Sequence, residues 1–500
     1  MDSTQSQKEF VLCFDGTGNK FRGDSSDSNV LKIFRMLDRN GRNQYHYYQP
    51  GIGTFVASPS LEQNGAVQKL KSAYIKAKAS AIGSTFADHV MGGYKFLMRY
   101  YCPGDQIYFF GFSRGAYVAR FLAEMMDRIG LLEPGNEEMI SFAWETFAKW
   151  QQRGSGSKEE EAKKEELKRH MVAFRETFCH PVTQICFLGL FDTVNSVPRF
   201  ENAWMRRSKF PYTARTSAKV IRHAVSIDEH RAKFRQDLLS EVKPGLEEPG
   251  SRKWKRPRSG ATSRSDGDEG STKRDIEEVW FPGCHADIGG GWEARPGQCS
   301  LSEVPLLWMV HNAQKAGLRF DPVKLEKFGC LTGDQAARPE SSYNQLDSVG
   351  HGETSTEESV SGARIDNIIR RSSTDGQIHD GLRFGGSTSW MSVLCWKLME
   401  YLPFRRMDLQ KNGSWKPIRW PLPCGEVRDI PDDAKVHVSA IYRLHGNPEY
   451  RPGNLIMGGG GRGKKQAPKE YGTGEWIVAG YEACPLQKTY IRKPEQSKAS

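Results

Sequence analysis

The chain has 500 residues, 38% of them hydrophobic, and a formal net charge of +11. No stretch approaches the roughly 20 consecutive apolar residues of a membrane-spanning helix, and the start of the chain lacks the basic-then-apolar order of a signal peptide. Ten cysteines without a C-x-x-C pair predict no disulfide framework and no zinc site. We therefore expect a cytoplasmic protein that needs no cofactor.

The basic residues lie largely in low-complexity clusters, and no nucleic-acid-binding module appears in the sequence. Nucleic acid is therefore not an expected partner. The run 252–258 resembles a nuclear-localisation patch, but a solvated linker is the favoured interpretation of it.

Short apolar runs, each followed by polar or glycine-rich residues, predict six strands. They cover 10–14, 45–48, 107–110, 185–191, 220–227 and 278–281. Helical patterns lie between several of them, which predicts an α/β fold with a mostly parallel sheet and helices on both faces. Sheets of this kind bind ligands at the carboxyl ends of their strands, where the polar motifs of this chain are expected to lie.

Three segments of low complexity interrupt this pattern. We predict one catalytic domain over 8–455, with long disordered insertions at about 153–170, 243–275 and 341–377, and a flexible tail over 456–500. The first insertion is dense in Glu and Lys, which is typical of a solvated helix. The second and third are too polar to bury enough apolar surface to offset the cost of ordering.

The segment 389–407 concentrates tryptophans, aliphatic residues and a tyrosine before Arg405 and Arg406. It is either a buried helix or a surface that docks on lipid. Core packing is the favoured interpretation for most of it. Its basic end leaves open a peripheral contact with an anionic membrane.

Gly111-Phe112-Ser113-Arg114-Gly115 carries the pattern G-x-S-x-G between a predicted strand and a predicted helix. In that context the pattern is typical of a nucleophile elbow, a turn so sharp that bulky residues two positions either side of the serine would clash. We predict that Ser113 is the nucleophile. The N–H of Arg114 is predicted to face the oxyanion of the tetrahedral intermediate.

A serine nucleophile needs a histidine base, and His285 is the best placed of the twelve histidines. It follows a predicted strand and precedes a run of three glycines, where backbone can approach a ligand closely. His437 is the alternative base, on an alternating strand predicted over 435–440. His223 and His230 are expected to support the site from behind.

The histidine in turn needs an orienting acid. Asp192 ends a strongly apolar predicted strand, and Asp228 is the rival that follows the next strand. Asp287 could hold His285 or shape its loop. A metal bound by His285 and Asp287 is disfavoured because the sequence offers no regular ligand spacing.

The loop after the first strand, Asp15-Gly16-Thr17-Gly18-Asn19, is predicted to supply the second oxyanion N–H, from Gly16 or Thr17, with Asp15 in support. Phosphatases with a D-x-D-G-T motif offer another interpretation of this loop. That interpretation fails because Cys13 stands where their first aspartate is required.

Together these motifs resemble an α/β-hydrolase domain family related to the phospholipase effectors of bacterial type VI secretion, which also occurs in fungi. The resemblance rests on Phe14 to Asn19, Gln49 to Thr54, Pro103 to Asp105, Gly111 to Arg120, Asp192 to Val194, Asp228-Glu229 with Arg231 and Phe234, Trp280 to Gly291, Leu306 to Met309 and His437 to Ser439. It implies a triad of Ser113, Asp192 and His285 that acts on glycerophospholipid esters. A catalytically silent lipid- or protein-binding relative and an esterase of small soluble esters are the alternatives.

Overall fold

The computed structural model describes most of the chain. The described residues are 7–51 without 20 and 42, 84–151, 158–180, 182, 185–194, 218–239, 275–293, 299–331, 354–386, 388–401, 407–409, 415–417, 424–456, 466–480 and 484–493. In this part of the chain no helix is both long and apolar enough to cross a bilayer.

Nine strands form one central sheet. In chain order they are β1 (Glu9–Phe14), β2 (Gln44–Gln49), β3 (Gln106–Phe112), β6 (Phe187–Phe191), β7 (Val220–Ser226), β8 (Asp275–Phe281), β11 (Lys435–His437), β12 (Trp476–Gly480) and β13 (Thr489–Arg492). Their order across the sheet is β12-β13-β11-β8-β7-β6-β3-β1-β2. The seven strands from β11 to β2 are parallel, and β13 and β12 pair antiparallel at one edge.

Two short antiparallel pairs lie outside this sheet, β4 (Leu131–Leu132) with β5 (Cys179–His180) and β9 (Met407–Leu409) with β10 (Trp415–Pro417). The α-helices are α1 (Asn29–Met36), α2 (Ser84–Tyr100), α3 (Arg114–Ile129), α4 (Ile140–Gln151), α5 (Lys158–Phe178), α6 (His285–Gly289), α7 (Glu303–Lys315), α8 (Pro322–Lys327), α9 (Thr354–Asp375), α10 (Trp390–Glu400) and α11 (Val438–Gly446).

The side chains of β1 show how the sheet is covered. Phe10, Leu12 and Phe14 pack in one core with residues of α2, α3 and α4, whereas Val11 and Cys13 pack in a second core with residues of α1 and α7. Alternate residues of a strand point to opposite faces, so helices cover both faces of the sheet. The prediction of a mostly parallel α/β fold with two covered faces is confirmed.

Two segments predicted to be flexible contain ordered elements. The predicted tail 456–500 contributes β12 and β13 to the central sheet, and Leu486 is buried beside them. The predicted excursion 341–377 includes α9, which buries Ile365 and Ile369 one helical turn apart. Both predictions were wrong for these parts. A few apolar residues at the correct spacing are enough to pack each element, although the segments around them are mostly polar. The helix predicted in the first insertion is α5.

Three further predictions need correction. The strand predicted over 435–440 ends at His437, which caps α11. Most of 243–275 lies outside the described residues, but Asp275 begins β8, where its carboxylate pairs with Arg222 at 2.7 Å. The helix α10 does not belong to the core, because among its side chains only Val393 and Glu400 are buried. Its apolar composition on most sides therefore did not distinguish an exposed helix from a buried one.

Candidate active site

The turn between β3 and α3 holds Ser113 in a strained conformation. Its φ is 59° and its ψ is −125°, a region that residues other than glycine rarely occupy. A Cβ on Gly111 would collide with the backbone of Ala116, and one on Gly115 with the carbonyl of Phe14. The two glycines therefore permit the sharp reversal, as the sequence pattern predicts. Ser113 is 4% exposed and makes no side-chain capping bond to α3.

Three side chains that follow β3, β6 and β8, at the carboxyl edge of the sheet, form a continuous hydrogen-bonded row. Ser113 Oγ, after β3, lies 2.8 Å from His285 Nε2. His285 begins α6 just after β8, and its Nδ1 lies 2.5 Å from Oδ2 of Asp192, after β6. A base placed in this way can accept the serine proton through Nε2 while Nδ1–H donates to the carboxylate.

Asp192 is fully buried, and Arg428 is its principal partner. Arg428 Nη1 lies 2.6 Å from Oδ1 and Nη2 lies 2.9 Å from Oδ2, and the N–H of Ser226 donates to Oδ1 at 2.9 Å. Burial alone would raise the pKa of Asp192, but Arg428 and His285 hold that pKa below its ordinary value. Asp192 is therefore an anion in the folded protein.

The imidazole of His285 contacts two aromatic rings. The ring centroid of Phe112 is 4.8 Å from it and that of Phe234 is 4.7 Å away. The N–H of His285 donates to Glu229 Oε2 at 3.2 Å, which fixes the backbone at the start of α6. Burial lowers the pKa of His285, and the nearby Asp192 only partly opposes this effect. The ring is therefore neutral near pH 7 and free to act as a base.

The two other candidate aspartates lie beside the row without touching the imidazole ring. Asp228 Oδ2 accepts hydrogen bonds from the N–H of Gly283 at 2.6 Å and from the hydroxyl of Tyr450 at 2.9 Å. Asp287 accepts from the N–H of Cys284 and from His379, whose Nδ1 is 2.6 Å away. Both aspartates shape the loop that carries His285.

The alternative histidines are engaged elsewhere. His437 is fully buried, with Nε2 2.9 Å from the carbonyl of Leu486 and Nδ1 2.8 Å from Ser439 Oγ. His223 accepts the N–H of Thr193 at 3.1 Å and thereby supports the loop of Asp192 from behind. His230 pairs with Asp380.

The loop after β1 packs against the elbow, and Asp15 organises it. The buried Asp15 carboxylate accepts hydrogen bonds from Tyr48, Ser28 and Asn19, and from the N–H of Gly16 at 2.6 Å. Burial raises the pKa of Asp15, although these donors oppose the rise. Because the Gly16 N–H is already donated to Asp15, the Thr17 N–H is the better candidate for an oxyanion donor from this loop.

Two residues beside the site were missed by the sequence analysis. Arg428 lies in an irregular segment with no glycine motif, strand or ligand spacing around it, so no signal in one sequence could have found it. His379 pairs with Asp287 and stacks on Trp292 at 4.7 Å, again without a motif. Among the described residues, no group of three or more His, Cys, Asp or Glu side chains is arranged to hold a metal ion.

The catalytic-domain model of the Tle1-like phospholipase effectors of type VI secretion (T6SS) matches residues 8–312, more than half of the chain. The chain belongs to this Tle1-like family. The prediction of that family is thereby confirmed. The matched part contains Ser113, Asp192 and His285, whereas Arg428 and α10 lie beyond the end of the Tle1-like match.

Relatives of this Tle1-like chain include an uncharacterized protein of Saccharomyces cerevisiae, YEL023C, which is 28% identical over 579 residues. That match covers 90% of this chain and 81% of the yeast protein. A solved structure of an uncharacterized Pseudomonas aeruginosa protein is 19% identical with a TM-score of 0.32; the match covers 64% of this chain but only 49% of that one. The structure of the Tle1 effector bound to the VgrG spike is 14% identical, with a TM-score of 0.29, and the match covers 65% and 76% of the two chains.

Proposed function

We propose that the protein is a serine hydrolase that cleaves carboxylic ester bonds of phospholipids or related lipids. The row Ser113–His285–Asp192 carries the proposal, because a strained serine, a neutral imidazole and a buried carboxylate anion stand in hydrogen-bond contact. Membership of a phospholipase effector family supports lipid esters as the substrate class.

In the proposed reaction, Ser113 Oγ attacks the ester carbonyl carbon while His285 Nε2 takes the hydroxyl proton. The carbonyl oxygen becomes an oxyanion that accepts from the N–H groups of Arg114 and Thr17, each contributing roughly a hundredfold or more in rate. The C–O bond then breaks as the imidazolium returns the proton to the leaving alcohol. Water, deprotonated by the same imidazole, hydrolyses the acyl-serine and regenerates Ser113. Asp192 holds the tautomer of His285 throughout.

The surface beside the site supports lipid as the substrate. An outward-facing apolar stripe runs along α10 to its C-cap. It consists of Trp390, Met391, Leu394 and Leu398 at helical spacing, with the C-cap residue Tyr401. Trp390 is 66%, Leu398 60% and Tyr401 64% exposed. The opposite side of α10 faces the site, because Trp396 packs edge-on against Phe234 at 5.3 Å and Phe234 contacts His285. We therefore include in the proposal that the apolar stripe contacts the interface of an anionic membrane.

A panel of phospholipids and short soluble esters tests the proposed reaction, with Ser113→Ala as the matched inactive variant. We expect hydrolysis of at least one phospholipid class by the wild type. We expect a loss of about a millionfold in kcat for Ser113→Ala. Its fold should persist because, within the described part of the chain, the hydroxyl bonds to His285 alone. Hydrolysis of soluble esters alone would favour a small-ester esterase, and no hydrolysis of any ester would favour a catalytically silent relative.

Vesicle sedimentation tests the membrane contact. Leu398→Ser combined with Trp390→Ser should weaken binding to anionic vesicles several-fold, because the two changes remove exposed apolar area from the stripe. Hydrolysis of a short soluble ester and the melting temperature should stay at wild-type values, since neither side chain is buried. Val393→Ser on the buried side of α10 is the control that should lower the melting temperature instead. Unchanged vesicle binding in the double variant would refute the membrane contact.

A further inference from the structure

A buried arginine from beyond the family-matched region engages the acid of the proposed hydrolase. Both Nη atoms of Arg428 contact the two oxygens of Asp192, at 2.6 and 2.9 Å. The same guanidinium donates to the carbonyl of Ser226 at 3.1 Å and to the carbonyl of Phe234. Arg428 is 1% exposed, so these contacts are shielded from water.

Neighbouring residues fix the backbone that carries this arginine. Arg235 donates to the carbonyl of Val427 at 2.9 Å, and Gln236 donates to the carbonyl of Asp429 at 3.0 Å. Asn454 donates to the carbonyl of Arg428 itself at 3.0 Å. The guanidinium therefore has a defined position, and its planar two-pronged contact fixes the plane of the carboxylate so that Oδ2 faces His285.

The charges around the imidazole are balanced in pairs. Asp192 is paired with Arg428, and Glu229, which holds the His285 N–H, is paired with Arg231 at 2.8 Å. Burial, Asp192, Glu229 and Arg231 are the principal influences on the pKa of His285, and Arg428 acts one step further away by lowering the pKa of Asp192. A buried carboxylate without a cation would either take up a proton, and so cease to orient the imidazole, or stabilise the imidazolium more strongly. Both changes would reduce the fraction of sites that hold an anionic Asp192 and a neutral His285 at mildly acidic pH.

We propose that Arg428 is a positioning residue of the site, acting through Asp192, and that the chain beyond residue 312 is therefore part of the catalytic unit. The proposal rests on the proposed hydrolase function. It assigns two effects to the guanidinium: it fixes the orientation of the carboxylate, and it balances the charge of the carboxylate beside the imidazole.

The experiment uses the full chain and a short soluble ester, with kcat normalised to sites titrated by a fluorophosphonate. Arg428→Met should lower kcat roughly a hundredfold, less than the about ten-thousandfold loss expected when the acid itself is changed. It should also move the acid limb of the kcat profile to higher pH. Arg428→Lys retains the charge but not the two-pronged contact, so kcat should fall about tenfold with the limb near its wild-type position.

Arg443→Met is the matched control. Arg443 is another buried arginine of the same C-terminal region, but it donates to the carbonyls of Ser373 and Gly376 and does not contact Asp192. This variant should lose melting temperature while its kcat per titrated site and its acid limb stay unchanged.

Wild-type kcat and pH profile per titrated site in Arg428→Met would overturn the positioning role and leave a structural one. If Arg428→Met does not fold, wild-type kcat in Arg428→Lys overturns the two-pronged orientation of Asp192. An acid limb that moves equally in Arg443→Met would also overturn the proposal. A wild-type protein that neither reacts with the fluorophosphonate nor hydrolyses esters would instead refute the proposed function.

Discussion

Asp192 and Asp228 follow two neighbouring parallel strands, and they differ in burial and in the partners that reach them, Asp192 being fully buried and Asp228 only partly. Asp192 receives a guanidinium and an imidazole, and its pKa lies below the ordinary value. Asp228 receives a backbone N–H and a tyrosine hydroxyl, and burial raises its pKa. Two aspartates at one edge of the sheet are therefore different groups, and the cation that a distant part of the chain supplies to Asp192 contributes to the difference.

Exchanging each carboxyl for an amide gives the largest expected contrast between the two positions. Asp192→Asn should lower kcat about ten-thousandfold on a soluble ester, because the imidazole loses its orienting anion and can adopt the wrong tautomer. Asp228→Asn should cost less than about tenfold, since its carboxyl does not contact His285. Steady-state kinetics on both variants decides the assignment, and the reverse ranking would transfer the role of the acid to Asp228.

A smaller effect concerns the pH dependence of the wild type. The base must be neutral to accept a proton, and burial lowers the pKa of His285 below its ordinary 6.5. The kcat/KM profile should therefore keep its activity as the pH falls to 6.5 and decline only below that value. Asp228→Asn should leave this acid limb in place. An acid limb of the kcat/KM profile with its midpoint above pH 6.5 would show that the anionic Asp192 outweighs burial in setting the charge of His285.

The smallest expected effect is on stability. A carboxyl whose folded pKa is raised stabilises the fold below its unfolded pKa, near 3.8 for Asp228, and this contribution is lost as the pH rises through the folded value. Asp228→Asn should therefore have a melting temperature at or above that of the wild type at pH 7, with no such advantage at pH 3. Differential scanning calorimetry at the two pH values measures the change. A fall of several degrees at pH 7 alone would mean that Asp228 is ionised and stabilising.

Much of the site could be predicted because its residues follow strands in recognisable patterns. The glycines around Ser113 are required by the turn geometry, and Asp192 and His285 end apolar runs, so local sequence and sheet topology together bring them to one edge. Arg428 could not be predicted, because its position depends on tertiary packing of an irregular segment against residues about two hundred positions earlier in the chain.

The errors in the fold have a related cause. The polar composition of the C-terminal part predicted a flexible tail. In the structure β13 pairs with β11 and β12 pairs with β13, so both strands are ordered at the edge of the sheet. The apolar composition of α10 predicted core packing, although the apolar face of that helix is exposed. Whether each segment is ordered or buried depends on the surface it packs against, or on the lack of such a surface among the described residues. A single sequence does not show which surfaces come together.

Labelling with a fluorophosphonate, followed by peptide mass spectrometry, tests the central claim most directly. The reagent reacts with a serine only where a base has activated the hydroxyl. The wild type should be labelled at Ser113 alone, with labelling abolished in Ser113→Ala and strongly slowed in Asp192→Asn, while Asp228→Asn is labelled at nearly the wild-type rate. Absence of labelling in the folded wild type, or labelling that persists in Ser113→Ala, would contradict the account.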